Sequence, residues 1–243
     1  ADRIGVLSTI IENHDEPRGV SHYIAEGPVN DTSKKALGTI QVLRKGIPFI
    51  YQGQEIGMEN QVFESVEDFD DIATINGYHV AKEAGLSEEE ALAAIANYSR
   101  DNARTPMQWS AEPGLGFSDG PAWLISPKPD YSINVEDQEK DPESILNYYR
   151  QLTALYRHLL YGNTIRFGDM IPAYRDRENI IAFERRGDKR LLVISNFQNR
   201  QTSLELPAPI KTLVLNNTAG LFQEGDQVLE LAPYQTIVLE LVE

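Results

Sequence analysis

Ile10-Ile11-Glu12-Asn13-His14-Asp15-Glu16-Pro17-Arg18 is an apolar run that stops abruptly at an imidazole next to a carboxylate. With the residues from Gly5 onward it predicts a buried strand, so the polar groups at its carboxyl end lie at the rim of a sheet. Parallel α/β proteins bind ligands at this end of their strands, because the loops that carry polar groups begin there. His14 and Asp15 are therefore candidate site residues, although a turn cap and a rim histidine explain the pair equally well.

The residues that follow complete a strand, helix, strand pattern. A helix is predicted over 31–45, where Asp31, Thr32 and Ser33 are all suitable caps. The short apolar run Gly46–Gly53 then predicts a second buried strand. A strand, a helix and a strand in succession form a βαβ unit, which implies a parallel sheet.

Composition narrows the classes of function. The chain has 243 residues, is 41% hydrophobic and carries a formal charge of −15, with 37 acidic against 22 basic residues. Such a charge argues against nucleic acid as a partner, since phosphates demand patches of Lys and Arg. The absence of cysteine excludes disulfides and thiolate metal sites, and it favours a reducing, cytoplasmic compartment. We expect no membrane span, and residues 1–4 show no signal-peptide pattern.

A long polar segment follows the second strand. Residues 54–142 are mostly polar and acidic, and so long an excursion after one strand is usually functional. Two helices are predicted within it, one over 70–84 and one that begins with the capping box Ser87 to Glu90.

The pattern changes near residue 162. A helix with Asp141 as cap and Pro142 in its first turn ends at Gly162. Short strands separated by turn residues then predict an antiparallel β-sandwich. The predicted strands cover 180–185, 190–195, 202–206, 211–215, 228–231 and 236–242. We therefore expect two domains, over 1–162 and 163–243.

A second polar motif is Arg100-Asp101-Asn102-Ala103-Arg104-Thr105-Pro106-Met107-Gln108-Trp109. Its two guanidiniums, four residues apart, can share one face of a helical turn and contact carboxylates or hydroxyls. Trp109 can stack on a sugar ring, but packing in the core is its commoner use. Alone, this motif is ambiguous as well.

Taken together, three motifs closely resemble the last sequence blocks of the α-amylase superfamily, glycoside hydrolase family 13. They are Asn13-His14-Asp15-Glu16-Pro17-Arg18, then Gly46-Ile47-Pro48-Phe49-Ile50-Tyr51-Gln52-Gly53-Gln54-Glu55-Ile56-Gly57-Met58, then Arg100 to Trp109. The likeness covers about residues 5–200, and it is strongest to the branch of oligo-1,6-glucosidases, α-glucosidases and dextran glucosidases. It implies the last part of a (β/α)8 barrel, about strands 7 and 8 with their helices, followed by the β-sandwich.

The resemblance also implies a chemistry. Such enzymes are retaining glycosidases, in which one carboxylate attacks the anomeric carbon and a second protonates the leaving oxygen. Asp15 matches the third carboxylate of the family, which stabilises the transition state, and His14 matches its sugar-binding partner. Arg100 matches the arginine that contacts the sugar beyond the cleaved bond. Arg18 and Arg104 are further candidates for substrate binding, and Arg104 also for holding the local structure.

The chain departs from the family in its catalytic pair. The motifs that carry the nucleophile and the acid/base are absent, and the spacing of Glu55, Glu59 and Glu64 gives no support for them as replacements. Two strands, about Gly5–Asn13 and Phe49–Tyr51, cannot close a barrel. We therefore expect the upstream part of the barrel, in the same or a separate chain, as a partner, and no activity from these 243 residues alone.

A further departure concerns the leaving-group sugar. Close relatives carry a Glu at the position of Ala73, so the preference between α-1,6 and α-1,4 linkages is open. The segment Asn97–Arg100 lacks the Arg-rich pattern of sucrose isomerases, which lowers that alternative.

The expected substrate is thus a short α-gluco-oligosaccharide, with no cofactor. Three scattered histidines, His22, His79 and His158, have no ligand spacing and predict no metal site. Three alternatives stay open: a transglycosidase, a trehalose-phosphate hydrolase, or a non-catalytic carbohydrate-binding or interaction protein of the same ancestry.

Overall fold

The computed structural model describes residues 5–24, 27–220 and 222–242. Residues 1–4, which concern the signal-peptide expectation, lie outside these ranges. The chain divides into two compact units. One comprises Ala1–Ile10, Glu26–Phe49 and Tyr148–Glu243, and the other comprises Ile11–Ala25 and Ile50–Asn147.

The helices and strands follow one another as β1 (Ser8–Thr9), α1 (Gly19–Tyr23), α2 (Asp31–Leu43), β2 (Ile47–Pro48), α3 (Ile72–Glu83), α4 (Glu88–Ala96), α5 (Val135–Lys140), α6 (Ile145–Tyr156), α7 (Gly162–Phe167), β3 (Asp169–Ala173), β4 (Ile180–Arg186), β5 (Arg190–Asn196), β6 (Thr202–Glu205), β7 (Ile210–Asn216), β8 (Val228–Leu231) and β9 (Thr236–Leu241). No helix in the described ranges is both long and apolar enough to cross a membrane.

The predicted βαβ unit lies in the first compact unit. Strands β1 and β2 pair in parallel, with Ser8 opposite Ile47 and Thr9 opposite Pro48. Helix α2 connects them, and Gln41 on α2 donates to the carbonyl oxygens of Thr9 and Phe49 at 3.1 and 2.7 Å. The strand, helix, strand prediction with parallel pairing is therefore confirmed.

Both strands are shorter and more exposed than predicted. The ladder covers two residues on each side, whereas runs of several buried residues were expected. Val6 and Leu7 are 66% and 68% exposed, and Phe49 is 56% exposed. Strands of a parallel sheet normally have such apolar side chains covered by neighbouring strands or helices. None of the described residues covers Val6, Leu7 or Phe49 in this way.

The two long helices of the first unit differ from the prediction at their ends. Asn30, not one of the next three residues, caps α2, because its side chain and that of Ser33 bond reciprocally to each other's backbone N–H. Helix α6 begins at Ile145 rather than Pro142, since residues 142–144 form a turn. Helices α2 and α6 pack closely enough that the Tyr148 hydroxyl bonds Thr39 at 2.7 Å.

The C-terminal strands form the predicted antiparallel β domain. Five strands lie in the order β3-β4-β5-β9-β7, and β6 pairs with β8 in a small second sheet. Buried side chains from both sheets form a single core, which includes Leu192, Ile194, Leu204, Leu229, Leu231, Ile237 and Leu239. All six predicted strands are present with ends shifted by a residue or so, and β3 was missed. Pro172 lies within β3, and proline is tolerated there because β3 is the edge strand.

The second unit carries most of the long polar excursion. Helices α3 and α4 pack against each other and match the two predicted helices closely. Ser87 and Glu90 form the predicted capping box at the start of α4. Helices α1 and α5, both short, were not predicted. A small core of Ile56, Met58 and Met107 supports the loops of this unit.

Candidate active site

His14 and Asp15 lie at the tip of a tight turn in the second unit. The Asn13 side chain sets the turn, since its Oδ1 accepts the backbone N–H of Asp15 at 2.7 Å. The His14 and Asp15 side chains are 71% and 54% exposed, and His14 Nε2 lies 3.3 Å from Asp15 Oδ2. Both groups can therefore contact a ligand from solvent.

Two arginines converge on the Asp15 carboxylate. Arg100 Nη1 and Arg104 Nη2 donate to the same oxygen, Asp15 Oδ1, at 3.3 and 3.2 Å. Arg104 Nε also donates to the His14 carbonyl oxygen at 3.0 Å. The structure thus brings four of the five candidate residues together from two motifs that are about 85 residues apart in the chain.

Two buried aspartates, neither of them a candidate from the sequence, hold these arginines. Arg100 forms an ion pair with Asp71, and its Nε donates to the same carboxylate at 3.1 Å. Arg104 Nη1 lies 3.5 Å from Asp101 Oδ1, while Asp101 Oδ2 accepts the backbone N–H groups of Asp70 and Asp71, each at 2.8 Å. In the sequence, Asp71 could have been noticed as an N-cap residue of α3, three residues before Thr74.

The charge of Asp71 contributes to stability in a defined pH range. Burial raises the pKa of Asp71, but hydrogen bonds from Arg100 and Thr74 outweigh burial and lower it to about 2. A lowered carboxyl pKa stabilises the folded state fully above the unfolded-state pKa, and this contribution is lost as the pH falls towards 2.

We therefore expect Asp71→Asn, which keeps the helix cap, to destabilise the protein at pH 7 and to have a much smaller effect at pH 2. Urea denaturation of both proteins at pH 7, 4, 3 and 2 measures the difference. A difference that grew on acidification would contradict the assignment.

Arg18 does not join the cluster. Its side chain is fully buried, so in this structure it has no surface to offer a sugar, contrary to the expectation that it binds substrate. Its guanidinium donates to the carbonyl oxygens of Gln52 and Asn102 at 2.7 and 3.3 Å. Its Nη1 lies 3.7 Å from the buried carboxylate of Glu12, which accepts the backbone N–H of Gly19. Arg18 therefore ties together three segments behind the turn.

Gly53 leaves room for this buried guanidinium. Its φ of +88° is left-handed, and a Cβ there would lie 3.1 Å from Arg18 Nη1 and would overlap the Met58 sulfur. The motif that contains Gly53, residues 46–58, thus supports the motif at residues 13–18 through its backbone conformation.

Trp109 is half exposed, so it is not a packed core residue. No group of three or more His, Cys, Asp or Glu side chains with metal-binding geometry occurs in the parts of the chain that are described.

A recess of about 290 Å³ opens beside the cluster. The Asp71 and Arg100 side chains form one side, and Ala73, Ala94 and Ile95 form an apolar wall. Tyr98, an exposed residue just after α4, also lines the recess. Arg100 thus both bonds Asp15 and lines the recess.

The arrangement is suited to binding a polyol. An exposed carboxylate accepts hydrogen bonds from hydroxyls, and the histidine and the two guanidiniums next to it donate them. Glycoside hydrolysis needs two carboxylates that act on the bond, as nucleophile or base and as acid. Asp15 is a single carboxylate whose orientation is fixed by its arginine partners, so it can bind hydroxyls but does not by itself supply this pair.

The comparisons with known proteins agree with these observations. Residues 2–161 match the family model of the α-amylase catalytic domain, and residues 180–238 match that of the C-terminal domain of the α-amylase SusG. The oligo-1,6-glucosidase of Halalkalibacterium halodurans is 40% identical over 244 residues, which are 97% of this chain and 42% of that protein. The trehalose-6-phosphate hydrolase of Bacillus subtilis is 34% identical over 94% of this chain and 41% of its own length.

Solved structures extend the likeness to three dimensions. The isomaltulose synthase of Protaminobacter rubrum has a TM-score of 0.90 at 32% identity, over 98% of this chain and 43% of that chain. The trehalulose synthase of Pseudomonas mesoacidophila MX-45 has a TM-score of 0.87 at 33% identity, over 95% and 42%. This chain spans about two fifths of the length of the relatives that it matches. The chain therefore belongs to the α-amylase family, glycoside hydrolase family 13, and corresponds to the C-terminal part of the catalytic barrel and the following β domain of its members.

Proposed function

We propose that this chain is the C-terminal part of a retaining α-glucosidase that cleaves α-1,6 or α-1,4 bonds in short gluco-oligosaccharides. The observation that carries the proposal is the half-exposed Asp15 carboxylate, which is held between the guanidiniums of Arg100 and Arg104. The similarity to oligo-1,6-glucosidases supports the choice of reaction.

In this proposal Asp15 stabilises the transition state. Its carboxylate accepts hydrogen bonds from the hydroxyls of the reacting glucose, and its negative charge favours the oxocarbenium-like carbon. His14 donates to the same sugar, Arg100 contacts the next sugar, and Arg104 fixes the turn through the His14 carbonyl. Arg18 acts behind the turn, as a buried support rather than a sugar ligand.

The proposal assigns the nucleophile and the acid/base to the part of the barrel that precedes these motifs. Residues 1–162 then belong to the barrel and 163–243 to the β domain, and a cytoplasmic location stays a prediction from the lack of cysteine. The exposed apolar residues around β1 and β2 fit an interface with the remaining barrel strands.

We expect the 243-residue chain alone to release no product from a chromogenic α-glucoside, because two carboxylates at close range are required. The measurement is turnover by the purified chain, with its mass verified, beside the complete enzyme. Measurable turnover by the chain alone, lost in an Asp15→Asn variant and so not due to a contaminating glucosidase, would contradict the proposal.

The recess beside Arg100 makes linkage preference testable. Ala73→Glu places a carboxylate in the recess, where it can accept a hydrogen bond from the leaving-group sugar. We expect kcat/KM for isomaltose relative to maltose to rise by about 5- to 150-fold, or about 1–3 kcal/mol. Ala73→Gln, of similar size without the charge, is the control and should give the smaller gain. An unchanged ratio in Ala73→Glu would show that this recess does not hold the leaving group.

A transglycosidase is the second candidate, because the isomaltulose and trehalulose synthases have the same fold over this chain.

A trehalose-phosphate hydrolase is less favoured. A phosphate needs a cation, and Arg100, the cation among the described lining residues of the recess, is already bound to Asp71. Product analysis with isomaltose, maltose, sucrose and trehalose 6-phosphate separates these activities, and a complete protein inactive on all four is the non-catalytic alternative.

A further inference from the structure

A second groove lies in the β domain of the first unit. It has a volume of about 480 Å³, within the usual range of sites for small molecules. The loop between β3 and β4 forms one wall, and strands β6 and β8 of the small sheet form the other. Its principal lining side chains are Tyr174, Asp176, Arg177, Glu205 and Val228.

Tyr174 is held with its ring in the groove. It follows the last residue of β3 and adopts a φ of +51°, a left-handed conformation that costs a non-glycine residue free energy. Its hydroxyl donates to the backbone carbonyl of Glu205 at 2.6 Å, which spans the groove from loop to strand. Because the hydroxyl is tied, the ring orientation is fixed, and the half-buried ring both packs against the core of the β domain and lines the groove.

Arg177 spans the same gap. Its Nη2 donates to the Ser203 carbonyl on β6 at 3.1 Å, and its exposed side chain carries further donors and lines the groove. Asp176 and Glu205 are exposed carboxylates on opposite walls. The groove is therefore lined by apolar side chains together with hydrogen-bond donors and acceptors.

These groups suit one class of ligand. A pyranose has an apolar face, which packs on an aromatic ring, and a rim of hydroxyls, which bond carboxylates and guanidiniums. Two carboxylates against one guanidinium disfavour an anionic ligand, as does the charge of −15 on the whole chain. Neutral sugars satisfy both conditions.

We propose that this groove is a second carbohydrate-binding site, separate in sequence from the Asp15 cluster, which holds one segment of a neutral α-linked glucose oligomer. The choice of glucose rests on the proposed function, whereas the class of ligand rests on the groove itself. Binding here holds a longer chain on the enzyme and needs no chemistry at the groove.

The test is affinity electrophoresis of the complete enzyme in gels that contain dextran, with the Asp15→Asn change present to prevent hydrolysis. We expect dextran to retard this protein, and Arg177→Ala with Asp176→Ala to weaken the retardation by at least about fivefold. Arg175→Ala, an exposed arginine of the same loop that does not line the groove, is the matched control and should leave the retardation unchanged.

Three outcomes overturn the inference: no retardation of the starting protein, retardation unaffected by the groove variants, or equal loss in the Arg175 control. In the otherwise native enzyme the groove variants should leave kcat on a short chromogenic α-glucoside unchanged. If the enzyme hydrolyses no α-glucoside but its dextran retardation depends on Arg177 and Asp176, the proposed function fails and the groove stands.

Discussion

Asp15→Asn lowers kcat of the complete enzyme on a short α-glucoside by about 10²–10³-fold, the expected cost of removing one preorganised group that stabilises charge in the transition state. The change keeps the size of the side chain and an oxygen that can accept from Arg100 and Arg104, so the turn should stay in place. KM should change much less than kcat, because the carboxylate acts mainly on the transition state.

Circular dichroism and the urea midpoint check that the Asp15→Asn protein folds normally. Asp119→Asn, at an exposed position in the loop of the same unit, is the matched control and should retain full activity. A near-normal kcat in Asp15→Asn would remove Asp15 from the proposed mechanism, whatever the activity of the control.

Arg18→Met should destabilise the protein by about 3–5 kcal/mol, because it leaves the Glu12 carboxylate buried without its cation. Burial already raises the pKa of Glu12, and the attraction of Arg18 opposes this. The measurement is the free energy of unfolding from urea denaturation at pH 7.

The double variant Glu12→Gln with Arg18→Met separates lost charge compensation from lost packing. Removing both charges should recover a large part of the loss, since no uncompensated ion stays buried. Arg175→Met, at an exposed position, is the control and should fall within about 0.5 kcal/mol of the starting protein. Equal destabilisation of the single and double variants would show that Arg18 acts by packing and hydrogen bonds alone.

Four of the candidate residues chosen from the sequence lie together in the structure, and local geometry explains why they could be chosen. His14 and Asp15 are adjacent at a strand end, and Arg100 and Arg104 share a short motif, so local geometry presents each pair together. What local geometry cannot give is that Asp71 and Asp101 anchor the arginines, since those bonds depend on how α3 packs. The burial of Arg18 likewise depends on contacts with Gln52 and Asn102, far along the chain.

In the fold, too, features set by neighbouring residues could be predicted, whereas features set by distant parts of the protein could not. The antiparallel strands were predictable because each has its turn residues and its partners within the β domain. The parallel strands β1 and β2 were predicted as buried and are partly exposed, because this chain corresponds to only the C-terminal part of a (β/α)8 barrel, in which further strands and helices cover such residues. The exposure of Val6, Leu7 and Phe49 therefore reflects the barrel elements that normally cover them and not a wrong strand assignment.

The central claim is that His14, Asp15 and Arg100 hold the sugar and stabilise the transition state, while the nucleophile and the acid/base lie elsewhere in the barrel. The most direct test is to trap the covalent glycosyl-enzyme of the complete enzyme with a fluorinated α-glucosyl fluoride and to locate the label by peptide mass spectrometry. The account predicts a labelled carboxylate outside the 243 residues, and much slower labelling when Asp15 is replaced by Asn. A label on Asp15, on Glu55 or on any other residue of this chain would contradict it.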